Sequence, residues 1–345
     1  VYKRQRQMGV AVLITLAILW LISVVLVVGV SSILPPIPGA SFFSSELGQA
    51  PAIGQDLIEQ FIPANIFRSL TEEYVPGIVV FCLFFGAALI PVPGKEPLLD
   101  FLDLSAEAIG RINMFLVRLA PLGLFALSAA AAGTLRVEEL ARLQAYLILF
   151  TLACLVAAFA ILPLLISSLS GIGYRDVLRV SQGPVLTAIA TGKLFVVLPQ
   201  IVDQCEELLK QQDESLSDLG ESTANIVVPL AYPFPHIGKI LAYVFVSFAA
   251  WHVGRGLSPM ETTTMASSGV VSSFASPLVA IPFMLDQYQL PQDLMPLFIL
   301  PGFITTRLAD VVGVFHLMAL TLIVSSALQG RLRFRWAQLA TGAAV

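Results

Sequence analysis

A chain of 345 residues that is 57% hydrophobic and 12% charged, with a mean hydropathy of +0.86, holds more apolar sequence than a core of that size needs. Soluble domains average about 25% charged residues, so the excess implies lipid contact and an all-α polytopic membrane protein. The net charge of −4 offers no basic face and excludes nucleic acid as a partner.

Crossing a bilayer takes about 20 apolar residues, and residues 8–34, 75–92, 112–133 and 143–169 meet or approach that length. Residues 8–34 are too long for a signal-peptide core and read as a spanning helix. Because the first residue is Val1 rather than Met, the chain is expected to be a processed, trimmed or partial version of a longer one. Residues 35–74, rich in Pro, Gly, Ser and acid, read as an external loop.

The second half differs in kind. Residues 184–202 and 265–285 contain Gly and Pro, the latter within SSGVVSSFASP, and each is expected to fold as two half-length helices that turn back. Residues 224–251 are long enough to cross but hold PFPHIG, and residues 294–328 hold Pro301-Gly302 together with Arg307 and Asp310. The units 175–251 and 261–328 look like two versions of one hairpin-then-crossing plan, the inverted-repeat logic of secondary transporters. If Val1 is cytoplasmic, one side collects Lys3, Arg4, Arg6, Lys95, Arg175, Arg179, Lys210, Arg331, Arg333 and Arg335, against Arg68, Arg136, Arg142 and Arg255 on the other. That bias places both termini in the cytoplasm; the expected location of this multi-pass protein is the cell (inner) membrane.

Lys193 and Lys239 sit within apolar stretches broken by glycine or proline. An ammonium at bilayer depth costs at least about 2.5 kcal/mol on insertion scales, so such residues face a protein interior or a watery cavity and meet an anion or carbonyls. Cys82, Cys154 and Cys205 have no metal-ligand spacing and read as small buried side chains. No GxSxG elbow or HExxH helix accompanies the serines, so no enzyme, metal or cofactor is expected.

The strings IPANIFRSL, VPGIVVFCLFFGAAL, RINMFLVRLAPLGLFALSAAAAG, VLTAIATGKLFVVLP and IVVPLAY resemble, in that order, the dicarboxylate and glutamate/aspartate:cation symporter family. The resemblance covers nearly the whole chain from the family's third membrane helix onward, with the first two family helices absent from this chain. It implies an elevator-type, glutamate-transporter-like fold with two re-entrant hairpins and broken helices, and a homotrimer. The implied division is 1–74, first membrane helix and external loop; 75–142, scaffold-like helices; and 143–330, a transport-domain-like region. The last comprises hairpin 175–212, broken helix 221–253, hairpin 261–290 and broken helix 294–328, followed by a cytoplasmic tail at 331–345.

Carried over residue by residue, the resemblance implies altered cation sites. Leu198-Pro199 of the first hairpin is kept, but its serine-rich tip is replaced by Gly192, Lys193, Leu194 and Phe195. The family's Asn-Met-Asp-Gly-Thr break reads Pro235, His236, Ile237, Gly238, Lys239. If Arg307 matches the family arginine, the flanking acid, threonine and amide positions become Ile304, Leu308, Val311 and Phe315; Asp310 offers an alternative match. The expected function is a secondary-active carrier-like protein for a small anionic solute, a dicarboxylate or acidic amino acid, with Lys193 and Lys239 as built-in counter-charges. Its substrate-binding residues would be Thr191, Gly192, Lys193, Phe195, His236, Gly238, Lys239, Ser272, Ser273, Arg307 and Asp310. Blander roles stay open: ion pairs of the lysines or Arg307 with Asp310, carbonyl partners for His236, and helix packing for the serines. The alternative functions are a non-transporting sensor or membrane subunit, with an additional subunit or fused domain, and an anion channel.

Overall fold

The apolar run after Met8 folds as one helix, Tyr2–Ser31, about 45 Å long at 1.5 Å per residue and so able to cross a hydrocarbon layer of about 30 Å. Val12, Leu16, Leu19, Ser23 and Val27 form its buried stripe, while Val10, Leu13, Ile14, Ile18, Leu21 and Val25 are exposed on the other faces. Apolar residues all round are what a helix needs when one face meets protein and the rest meets lipid. Two of its hydroxyls are silenced locally: Thr15 Oγ1 donates to Ala11 O at 2.8 Å and Ser23 Oγ to Leu19 O at 2.9 Å.

The structure, a computed structural model of the chain, describes residues 2–34, 62, 65–71, 75–109, 111–112, 125–126, 137–212 and 217–332. Helix and turn make up these residues, with no strand among them. Most of the loop at 35–74, most of the APLGLFAL stretch and nearly all of the tail at 331–345 lie outside the described residues. Helices Ile66–Thr71 and Val75–Leu89 and the helical residues 96–109 precede the main body.

The main body begins with Val137–Val156, which continues through a π-turn, Ala157–Ile161, into Leu162–Ser170. Pro163 lies just after that turn; proline lacks an N–H and crowds the preceding turn, and a locally widened turn absorbs both effects. The whole stretch from Leu143 to Ser170 is long and apolar enough to cross a membrane, as are Gln7–Ser31 and Gly302–Leu328.

Two helix pairs follow the same plan. In the first, Tyr174–Thr191 and Leu194–Gln212 are joined by Gly192 and Lys193. Gly192 takes φ 59°, a left-handed value that a side chain disfavours, and its N–H closes the helix on Ala188 O at 2.8 Å. In the second, Ser258 opens Pro259–Ser272 with a reciprocal capping box to Glu261, and Pro277–Gln287 returns. Between them Ser217–Ala231 stops at a proline-rich break, 232–236, and resumes as Ile237–Leu241 and Val244–His252. Pro233 and Pro235 cannot donate into a helix ladder, and this explains the stop.

Gly302–Leu328 is the axis of the body, with nearly every residue from Asp310 to Ser326 buried. It packs against both arms of the first hairpin, Ile237–Leu241, Ser217–Ala231, Leu162–Ser170 and the N-terminal helix.

Arg255 fastens the ends of the second hairpin together. Its Nη1 donates to Tyr288 O at 2.6 Å and its Nη2 to Glu261 Oε1 at 3.2 Å, while Tyr288 Oη donates to Glu261 O at 3.3 Å. Truncation to Arg255→Ala is expected to cost about 1–3 kcal/mol through the unpaired carbonyl and carboxylate. The check is limited proteolysis in detergent, where cleavage should move to the 254–262 segment at temperatures at which the parent protein stays intact.

Candidate functional site

The first hairpin's turn meets the core helix through Arg307. Its Nε donates to Ile189 O at 3.0 Å and its Nη1 to Phe303 O at 2.8 Å. Its Cζ lies 3.6 Å from the centroid of the exposed Phe303 ring, a cation–π arrangement worth about 0.5–1 kcal/mol. A Cβ on Gly192 would stand 3.4 Å from the guanidinium, so the left-handed turn residue also leaves room for the arginine. Side chains on a helix lean towards its N-terminus, and Arg307 accordingly reaches back one turn to Phe303 instead of forward to Asp310. Among the described residues Nη2 of Arg307 has no acceptor, and no carboxylate pairs with the guanidinium.

Asp310, one turn on, is 8% exposed and makes no hydrogen bond or ion pair with any described residue. Neither Lys193 nor Lys239 pairs with it or with another acid among the described residues. Lys193 is exposed at the turn and Lys239 is half-buried on the short helix Ile237–Leu241.

The chain break is held by its own histidine. His236 Nδ1 accepts from Lys239 N at 3.3 Å, capping the short helix, and His316 Nδ1 accepts from Ile237 N at 3.4 Å. Both rings are thereby engaged through Nδ1, and their centroids are 6.5 Å apart. Gly238 presses on the Ala309 backbone, and a Cβ there would lie 2.7 Å from Ala309 Cα. Phe195, exposed beyond the first turn, has its ring 5.7 Å from that of Tyr232 in the break. Thr191 Oγ1 donates to Thr187 O at 2.8 Å and accepts from Lys193 N at 3.3 Å, so it shapes the turn.

The second hairpin reaches the break by a different route. Phe274, in its turn, has its ring 5.9 Å from Phe234 and 6.0 Å from Trp20, and Trp20 Nε1 donates to Pro235 O at 2.8 Å. Ser272 is fully buried with its Oγ unpartnered among the described residues, and Ser273 Oγ donates to Gly269 O at 2.7 Å. Those two hydroxyls therefore point into packing, while the aromatic residue beside them faces the break.

The structure thus brings Thr191, Gly192, Phe195, Gly238, Arg307 and Asp310 to one junction of turn, break and core helix, with His236 against the core helix at Gly313 and Lys239 half-buried on the short helix. Sequence reasoning missed Tyr232, Phe303, Phe274, Trp20 and the Ile189 carbonyl. Phe303 was detectable, because an aromatic residue four positions before an arginine on a helix shares its face. Trp20 lies 215 residues from Pro235, and Ile189 lies 118 from Arg307; no local pattern announces such pairs.

Residues 2–327 match the family described as the sodium:dicarboxylate symporter family. The chain is 28% identical over 214 residues to C4-dicarboxylate transport protein 1 of Pseudomonas paraeruginosa, covering 61% of this chain and 46% of that relative. It is 27% identical over 199 residues to the proton/sodium-glutamate symport protein of Bacillus caldotenax, covering 55% and 45%. With the proton/glutamate-aspartate symporter of Escherichia coli it shares 25% identity over 219 residues, covering 63% and 48%. The chain spans about half the length of the relatives it matches.

Proposed function

The chain belongs to the sodium:dicarboxylate symporter family, and on that footing we propose that it is a secondary-active carrier for a small dicarboxylate or acidic amino acid, in which Arg307 captures a solute carboxylate. The observation that carries this reading is the state of the guanidinium: held by two carbonyls and one ring beside the first hairpin's turn, with no acidic partner among the described residues. A fixed planar fork with unspent donors suits a carboxylate better than a mobile ammonium does, and fixing it beforehand lowers the ordering cost of binding.

In this reading both helix pairs are re-entrant hairpins, the solute lies between the turn at Thr191–Phe195 and the break at Tyr232–Lys239, and Phe274 closes the second side. Lys193 and Lys239 act as tethered positive charges beside the site, making uptake independent of sodium. The elevator motion past a trimeric scaffold, the inner-membrane setting and the cytoplasmic termini belong to the same proposal. The relatives' names, all of transport or symport proteins, favour a carrier over a sensor or channel.

The test is counterflow of labelled succinate and labelled glutamate in proteoliposomes, with sodium replaced by choline. Accumulation of either solute against preloaded unlabelled solute in choline is the expected result. Strict dependence on sodium overturns the counter-charge reading, and no exchange of any C4 dicarboxylate or acidic amino acid overturns the carrier reading.

A further inference from the structure

Ala309, Gly313 and His316 stand at i, i+4 and i+7 of the core helix and so share one of its faces. Each meets the chain break in turn. Gly238 closes on the Ala309 backbone, where a Cβ would stand 2.7 Å from Ala309 Cα. The His236 ring covers Gly313, whose own Cβ would lie 3.3 Å from His236 Nδ1 and 2.7 Å from Leu194 Cδ2. His316 then accepts the Ile237 N–H at Nδ1, at 3.4 Å and across 79 residues of sequence. Among the described residues no other hydrogen bond joins Ile237–Leu241 to the core helix.

The small residues and the histidine fix different coordinates of this contact. Ala309 and Gly313 let the two backbones approach, as small residues do wherever membrane helices pack closely. They offer no ridge against which the short helix could lock, so sliding and rotation stay weakly specified. A buried polar bond is directional, and setting register is the best-attested use of one. The bond also answers a need of the break. Ile237 opens the short helix, so its N–H has no carbonyl within that helix to reach. The His236 cap serves Lys239 N instead. Only 1% exposed, His316 meets the orphaned N–H where water is scarce.

We propose that His316 is a positioning residue of the carrier: its Nδ1 bond to Ile237 N sets the register of the break on the core helix, and with it the place of Tyr232 and Lys239 relative to Arg307. The pin rests on these contacts alone, and its consequence for the solute rests on the carrier reading. His316 lies nine residues beyond Arg307, about 14 Å along the helix, so it acts on the solute through the break and not by touching it. Because Nδ1 accepts, the neutral ring carries its hydrogen on Nε2. Trp20 ties the preceding peptide group, through Pro235 O, to the N-terminal helix. Successive peptide groups around His236 are thus held by two different helices, and the tie made by His316 is the one that refers the break to the helix bearing Arg307.

The experiment compares the wild-type chain with His316→Asn, His316→Gln and His316→Leu in nanodiscs. Asparagine presents Oδ1 where Nδ1 stands, glutamine places its acceptor out where Nε2 stands, and leucine has none. The first arm, without solute, follows hydrogen–deuterium exchange over residues 236–241. Exchange should be slow in wild type and His316→Asn and about tenfold faster in His316→Gln and His316→Leu, the sign of a locally freed amide. Equal exchange in wild type and His316→Leu overturns the pin. Nitrogen NMR of labelled histidine should show a ring with bare Nδ1 and protonated Nε2 that vanishes in His316→Asn; a protonated Nδ1 at that position overturns it too.

In the second arm, succinate and glutamate binding is measured in choline buffer. His316→Leu and His316→Gln should weaken Kd about tenfold, the order set by loss of one buried hydrogen bond, with His316→Asn within about threefold of wild type. A role in packing alone gives the opposite order, with the apolar leucine nearer to wild type than asparagine, and that order overturns the proposal. So does an equal loss in His316→Asn and His316→Leu. Should His316→Leu not fold, the contrast between His316→Asn and His316→Gln decides in both arms. If neither solute binds the wild type, the carrier reading fails, and the exchange arm still decides the pin.

Discussion

Arg307→Ala is expected to weaken succinate or glutamate binding by about 1.5–3 kcal/mol, the worth of hydrogen bonds to a charged group. That is roughly tenfold to 150-fold in Kd. The reason lies in how the side chain is held. Ile189 O and Phe303 O fix its orientation and Phe303 supports its face, so the guanidinium arrives already ordered. Arg307→Lys keeps the charge but not the fork: one ammonium cannot bond Ile189 O, stack on Phe303 and meet a carboxylate bidentately. The lysine variant should therefore recover only a small part of the loss. Scintillation-proximity binding to purified protein checks both variants, and a change of less than about threefold in Arg307→Ala would remove the arginine from the site.

Gly238→Ala should produce the largest loss of stability. A Cβ there would lie 2.7 Å from Ala309 Cα and 2.8 Å from Ala309 C, both backbone atoms that cannot swing aside. Overpacking in a dense interior costs about 1–3 kcal/mol, occasionally more, and the rigidity of the obstacle puts this case at the upper end. Relief requires the short helix Ile237–Leu241 to move off the core helix, which also carries Tyr232 and His236 away from the Arg307–Asp310 turn. Gly183→Ala is the control, because nothing lies within 4 Å of its Cβ position and helix interiors prefer alanine. Thermal unfolding in detergent should drop clearly for Gly238→Ala and hold or rise for Gly183→Ala; equal melting of both would contradict the close packing.

The elements were legible where composition alone dictates them. The apolar run at 8–34 has no Pro or charge before its end, and it folds as Tyr2–Ser31. PFPHIG removes ladder donors in succession, and the chain breaks there. Other features were hidden because they depend on partners remote in sequence. Lys193 lies within an apolar stretch, yet the left-handed Gly192 ends a helix beside it and leaves its side chain exposed on this chain. The serine cluster of the second hairpin reads as a set of donors, yet Ser273 is spent on Gly269 O and Ser272 is enclosed. Pairing Arg307 with Asp310 looked natural from their spacing, but the lean of helical side chains sends the arginine the other way, towards Phe303. The sequence places charges along a helix; which of them lack partners is settled only by the elements packed around it.

The central claim is that the Arg307 guanidinium is where the solute carboxylate lands. Solid-state NMR on the reconstituted protein, with arginine nitrogens and succinate carboxylates isotopically labelled, measures that contact directly. The account predicts dipolar dephasing between a succinate carboxylate and one guanidinium, lost in Arg307→Lys. Carboxylate dephasing that persists in Arg307→Lys, or that appears only against labelled lysine, would contradict it.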